Sequence, residues 1–422
     1  MYRSLCSAAL SGLVAVATAQ SFVHQVFVLN EGYYNMNTQT QEVPVSLGSY
    51  DPASGTYQTV ATIAGQRFAS DVDVADGVVY VAADGQLLSY DADTYALLDQ
   101  AAVPGIRKLA LWNGQVLLTR GELGGLPHYF EARDAATLDL LYTLTPADGL
   151  LHSAEDVQVV GDKAYLAVGN AFDWGNLVGF VGIVDLIAQS YVQQVDLGPD
   201  GRNPERIMVS GQDLYVFCNK DFSGSAISRV ATDGAFSYTA NVALNSGCGA
   251  SELVADKVVF SEYAVGRMAR FDTGTGGVLD TLVSPLFPYS LLHDPLNGVL
   301  YATTTDFLTS GTLHVLTPDG TELSSTAVGV SPGRLALDVR AFTGIAEVAA
   351  SGLEVFPVPA TDALSVVSDA VGELLTLRDA SGRVLRQERL STARLVIDLT
   401  GLAPGVYSAQ LPGRAAVPVV KR

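Results

Sequence analysis

Three cysteines and five histidines are all that the 422 residues contain, and their spacing excludes several chemistries. No CxxC or HExxH occurs, and His24, His128, His152, His293 and His314 lie too far apart to frame a His/Cys metal centre. A phosphate-binding glycine loop and a Rossmann fingerprint are lacking too, so no residue is assigned a catalytic role. Charge is sparse at 16%, and basic charge sparser, with 24 Lys and Arg against 44 Asp and Glu. That balance excludes a nucleic-acid surface, which needs basic patches to neutralise phosphate. Helical periodicity is scarce, and no apolar run after the first twenty residues is long enough to span a membrane. No transmembrane segment is therefore expected in the mature chain.

The first twenty residues stand apart. Arg3 precedes a mostly apolar stretch, Leu5 to Val16, and Ala17-Thr18-Ala19 has the small-x-small form that signal peptidase accepts. The pattern predicts a cleaved signal peptide over 1–19. Export then leaves Cys218 and Cys248 in an oxidising compartment, where they form either a disulfide or, with Cys218 inside an apolar strand, a reduced core thiol and its distant counterpart.

What the sequence has in quantity is glycine, 41 residues, between short Val/Leu/Ile/Tyr runs, the pattern of strands joined by tight turns. These runs repeat. Strand, tight turn, strand, long loop, strand and turn recur from Asp71, Arg107, Glu155, Glu205, Glu252 and Ser290, and a last first-strand, Arg334 to Val339, has nothing after it. Spacings in the range of 36 to 50 residues are those of four-stranded propeller blades. The segment Val26-Phe-Val-Leu lacks a preceding first strand, and 334–339 can fill that place. The expected fold class is all-β: a seven-bladed β-propeller over 20–340, its first blade completed by 334–339, a linker over 341–351 and a small β-sandwich of about seven strands over 352–422.

In such a meander the tight turns Asp76-Gly77, Asn113-Gly114, Gly161-Asp162, Gly211-Gln212 and Asn297-Gly298 share one face, and the long loops occupy the other. Variable loops on a rigid scaffold are where binding sites sit. The strand-one starts gather Asp71, Arg107, Glu155, Glu205, Glu252 and Arg334 at the channel mouth, either as inter-blade salt bridges or as a site for a cation, sugar or basic peptide. Loop aromatics, among them Tyr34, Phe130, Phe172, Trp174, Phe222 and Tyr263, add surfaces on which sugars or peptides stack. The run Asn30-Glu-Gly-Tyr-Tyr-Asn-Met-Asn is rich in oxygen donors, but it matches no calcium motif, so Ca is considered without a specific site and no other cofactor is expected. Asp51, Asp91, Asp185 and Asp272, at strand-three ends, are expected to form Asx turns.

Charge divides the chain. From Gly352 onward there are 7 acidic and 8 basic residues, so the net negative charge lies before it. The C-terminal part has four signatures in order: Phe356-Pro357-Val358-Pro359, Asp379-Ala-Ser-Gly382-Arg-Val, Leu402-Ala-Pro-Gly405-Val-Tyr407 and a terminal Val419-Val-Lys421-Arg422. Together they resemble the type A C-terminal sorting domain of the Bacteroidota type IX secretion system, with Val358 where that family usually has Asn. The resemblance covers about one sixth of the chain. It implies Sec export to the periplasm, passage across the outer membrane by the type IX machinery as partner, and a secreted or cell-surface location. More loosely, the repeats resemble YVTN or quinoprotein-like propellers, whose functions vary. The leading expectation is a secreted or cell-surface binding or adhesion protein that presents long loops to a glycan or protein. An extracellular polysaccharide lyase or hydrolase with a funnel site and a structural envelope component are the alternatives.

Overall fold

The structure, a computed structural model, describes residues 21–242, 250–263, 266–281, 284–341, 353–380, 382–412, 414 and 416–422. The expected signal peptide, nearly all of the expected linker and Cys248 lie outside the described residues. Ser21–Arg340 forms one compact unit, and a second lies within Ala341–Arg422. Among the described residues no helix is long and apolar enough to cross a membrane.

Among the described residues the first unit contains seven four-stranded sheets that resemble propeller blades. Sheets II to VII are consecutive meanders that open at Ala69, Ile106, Ala154, Pro204, Ser251 and Ser290. Sheet I has the strand order Pro332–Ala341, Ser21–Asn30, Val45–Asp51, Thr56–Ile63, so its first strand comes from the far end of the unit. Second strands such as Val78–Ala83, Lys163–Val168 and Asp213–Cys218 are apolar without alternation because both of their faces are covered. Fourth strands such as Leu97–Ala102 are largely exposed.

Packing follows the sheet order. One buried cluster joins Phe27 and Leu47 of sheet I to Val79 and Val81 of sheet II, and similar clusters join each later sheet to the next. Another brings Tyr301 and Leu313 of sheet VII against Val26, Val28 and Leu335 of sheet I. Second-strand tyrosines add polar ties: Tyr80 donates to the Ala135 carbonyl of sheet III at 2.9 Å, and Tyr165 to that of Thr232 in sheet V at 2.7 Å.

The turns have the expected chemistry. Asp76-Gly77 and Asn113-Gly114 have positive φ at both positions, the type I′ geometry whose twist matches paired strands. Asp51, Asp91, Asp185 and Asp272 accept backbone amides two or three residues on, and Asp134 does the same. The stretch after Asn30 differs from the expected irregular loop. It holds a small hairpin, Tyr33–Asn35 with Thr40–Val43, whose turn is capped by the Asn35 side chain accepting from Asn37 and Thr38. Asn30 itself is buried and donates to the Tyr57 hydroxyl.

The second unit contains a three-stranded sheet, Leu353–Phe356, Ala363–Ser368 and Arg394–Asp398, and a four-stranded one in the order Val384–Arg389, Leu374–Asp379, Gly405–Gln410, Val417–Lys421. Leu364, Val366 and Ile397 of the first sheet share one core with Leu375, Leu377 and Val419 of the second. Gly382 takes φ +83 in the turn after Asp379, where its amide donates to the Asp379 carbonyl. Tyr407 is buried and its hydroxyl donates to the Ala403 carbonyl. The final strand bridges Ala360, just after Pro359, through Lys421, and the Arg422 amide donates to the Ala360 carbonyl.

Candidate functional site

In sheets II to V the first strand has a register shift against the second, between Ala69 and Asp71, Ile106 and Leu109, Ala154 and Val157, and Pro204 and Arg206. A bulge inserts one extra residue and breaks the alternation of side chains. Of polar neighbours such as Arg107-Lys108, Glu155-Asp156 and Glu205-Arg206, Lys108 and Asp156 are therefore buried while Arg107, Glu155, Glu205 and Arg206 are half-buried. Two acids clamp adjoining sheets: Asp71 accepts the Leu109 amide at 2.9 Å, and Asp156 accepts the Ile207 amide at 2.7 Å.

The strand-one starts surround a cavity of about 280 Å3 that receives residues from every one of the seven sheets. Sheet I brings Glu31 and Arg334, II Ser70, III Arg107 and Lys108, IV Glu155, V Glu205 and Arg206, VI Ser251, and VII Tyr289 and Ser290. Arg107 grips Glu155 with two bonds of 2.9 and 2.7 Å, and Arg206 pairs with Glu252 at 2.9 Å. Glu31 accepts from the Tyr289 hydroxyl at 2.8 Å. Lys108, 3% exposed, donates to the Ser70 carbonyl at 2.6 Å. Arg334 is 3.8 Å from Asp71, and its buried Nε has no hydrogen-bond partner.

Low solvation shapes the charges. Burial, reinforced by Glu155, pushes the Glu205 carboxyl up to about 7. Burial also raises Glu31 against the opposing bond from Tyr289. The Lys108 ammonium is brought down to about 8 by burial and then by the Arg334 charge. Burial would raise Glu155 too, but the Arg107 guanidinium holds it below the ordinary carboxylate range.

A groove of about 240 Å3 adjoins this cavity and shares Phe68, Ser70 and Arg107 with it. Phe172 and Leu123 give the groove apolar walls, and the Arg107 guanidinium lies 5.2 Å from the Phe172 ring centre. A further cavity of about 420 Å3 shares Arg206 with the first and is lined by Glu252, Met208 and His293 among others.

Of the six residues expected at the channel mouth, Arg107, Glu155, Glu205 and Arg334 line the first cavity. Asp71 serves as an inter-sheet clamp, and Glu252 faces the other cavity with Arg206. Of the loop aromatics, Trp174 is 78% exposed on a single 3-10 turn and Phe222 is 40% exposed. Tyr34 sits on the small hairpin. None of the three lines the cavity or the groove. Phe130 is no loop residue but part of strand Phe130–Asp134, fully buried in the core between sheets III and IV. Cys218 is a buried free thiol whose Sγ lies 3.6 Å from the Val216 carbonyl oxygen.

Sequence reasoning missed Glu31, Lys108, Arg206 and Tyr289. Lys108 and Arg206 follow expected site residues directly, and only the bulges explain why neighbours serve one interior. The sequence also contains Gly329-Val330-Ser331-Pro332-Gly333, a GxSxG match. In the fold it joins two strands, with no helix after it, and Ser331 is 3% exposed. The strand-to-helix setting of a nucleophile elbow is missing. Among the described residues no group of three or more His, Cys, Asp or Glu is placed to hold a metal ion.

No family model matches the chain, and no curated protein does. Solved structures do resemble it. The β-propeller domain of Cps50 (Swd1) from Myceliophteria thermophila aligns over 62% of this chain and 87% of its own, with a TM-score of 0.50 and 12% identity. BamB from Moraxella catarrhalis aligns over 77% and 91%, with a TM-score of 0.46 and 12% identity. The first likeness supports the fold alone: this is an all-β chain of propeller-like sheets.

Proposed function

We propose that the chain is a secreted or cell-surface binding protein whose first unit is a closed seven-bladed propeller with its ligand site at the cavity and adjoining groove. The observation that carries this reading is a single polar cavity lined by side chains from all seven sheets. Closure is further supported by the shared core of sheets VII and I and by the strand Pro332–Ala341 beside Ser21–Asn30. Concave sites with a few convergent polar groups are the usual places for small ligands, and the aromatic groove beside this one suits a glycan. Asp71, Glu252, Tyr34, Trp174 and Phe222 belong to the surroundings of the site in this proposal rather than to its contacts.

The second unit we assign as the export and sorting domain, with Pro357, Pro359, Asp379, Gly382, Gly405, Tyr407, Lys421 and Arg422 as its signature. The bond between Ala360 and the terminal strand supports this, because it sets the proline-rich opening beside the basic end. The test of the binding site is a glycan and peptide array probed with the purified full chain and with Arg107→Ala, whose side chain borders both cavity and groove. Binding that weakens about tenfold or more in the variant is expected; unchanged binding would place the ligand elsewhere. Truncation after Ser351 is expected to leave the chain inside the cell envelope, and efficient export of that truncation would refute the sorting role.

A further inference from the structure

We infer that the cavity recognises the carboxylate of a sugar acid, a uronate residue of an acidic polysaccharide; this rests on the binding site proposed above and names its ligand. Arg107 and Arg206 are held by Glu155 and Glu252. Arg334 has a weaker hold: like that of Arg206 its Nε is buried without a hydrogen-bond partner, but where Arg206 has Glu252 at 2.9 Å, the acid nearest Arg334, Asp71, is 3.8 Å away and already accepts the Leu109 amide, and the guanidinium otherwise donates to the Gly333 carbonyl. Lys108 has three protons to donate, of which the Ser70 carbonyl takes one. A ligand carboxylate in the cavity would give these two lining cations a charged acceptor, which Lys108 with protons to spare and Arg334, 30% exposed, are placed to use.

The rest of the lining selects among anions. Glu31 and Glu205 face the same space and limit its positive charge, which disfavours a doubly charged phosphate and suits a single carboxylate. They also accept hydrogen bonds from hydroxyls, as do Ser70 and Ser290, and a polyhydroxylated ring supplies such donors. The cavity, at about 280 Å3, is of the size for one small ring. Phe68 and Phe172 in the adjoining groove offer apolar walls to the next residue of a chain. The overall charge of −20 repels a polyanion at long range, so the recognition is local to the cavity.

The experiment is calorimetric titration of the full chain with trigalacturonate, its methyl ester, neutral trigalactose and galactose 6-phosphate, which leaves the protein unaltered while the ligand charge varies. The acid is expected to bind at least about tenfold more tightly than the ester and the neutral trimer, the loss that one charge-assisted pair accounts for. Arg334→Gln, verified as folded by its thermal transition, is expected to abolish the preference for acid over ester. Equal binding of acid and ester, or tighter binding of the phosphate, overturns the inference. Neutral sugar binding that Arg107→Ala still weakens would leave the binding site standing while removing its acid specificity. Absence of binding by all four probes overturns the inference as well.

Discussion

Glu205 shows how a single half-buried group couples the cavity to pH. Its carboxyl titrates near 7 in the folded chain against an ordinary value of 4.5. Between those values the folded state keeps a proton that the unfolded state has released, so this group's contribution makes stability fall as pH rises across the window. Glu205→Gln is neutral and similar in shape, and it is expected to unfold at a higher temperature than the parent at pH 8, with the difference shrinking toward pH 5. A variant less stable at pH 8 than the parent would contradict this. The Arg107–Glu155 pair calls for a different test. Its side chains are 28% and 13% exposed, so solvent screens part of the attraction. A double-mutant cycle with Arg107→Met and Glu155→Gln, followed by urea unfolding, is expected to give a coupling of about 1 kcal/mol. That Arg107, Glu155 and Glu205 come near one another was legible from the repeat; that Lys108 and Arg206 line the same cavity was not, because bulges carry no fixed sequence mark.

Among the elements, turns are where sequence and backbone agree most closely. Asn113-Gly114 joins the first two strands of sheet III with φ of 44° and 74°, and nothing lies within 4 Å of where a Gly114 side chain would begin. Gly114→Ala therefore costs only the left-handed backbone penalty, about 1 kcal/mol by urea unfolding. Gly179 is the contrast: an added Cβ would lie 2.2 Å from the Gly201 carbonyl oxygen. Gly179→Ala is expected to destabilise by more than Gly114→Ala, since backbone must move. The hairpin at Tyr33–Val43 was hidden in the sequence because polar Asn and Gln residues there lack the apolar alternation that marks a strand.

For the molecule as a whole, closure and autonomy are the questions. Removing 332 onward would uncover the edge of Ser21–Asn30 and take Leu335 from the core shared by sheets VII and I. Such a truncation is expected to unfold broadly and aggregate, whereas removal of 352–422 alone should preserve the sharp calorimetric transition of the first unit, since the second has a core of its own. If both truncations melted alike, the strand Pro332–Ala341 would not be the clasp proposed here. The sequence by itself determined the apolar strands of the repeat, the tight turns and the lack of a first strand before Val26, because period, glycine and apolar run are local properties of the chain. Tertiary structure decided which charges share the interior, which acids clamp neighbouring sheets and which aromatics are core, because bulges and burial arise only when distant strands pack together.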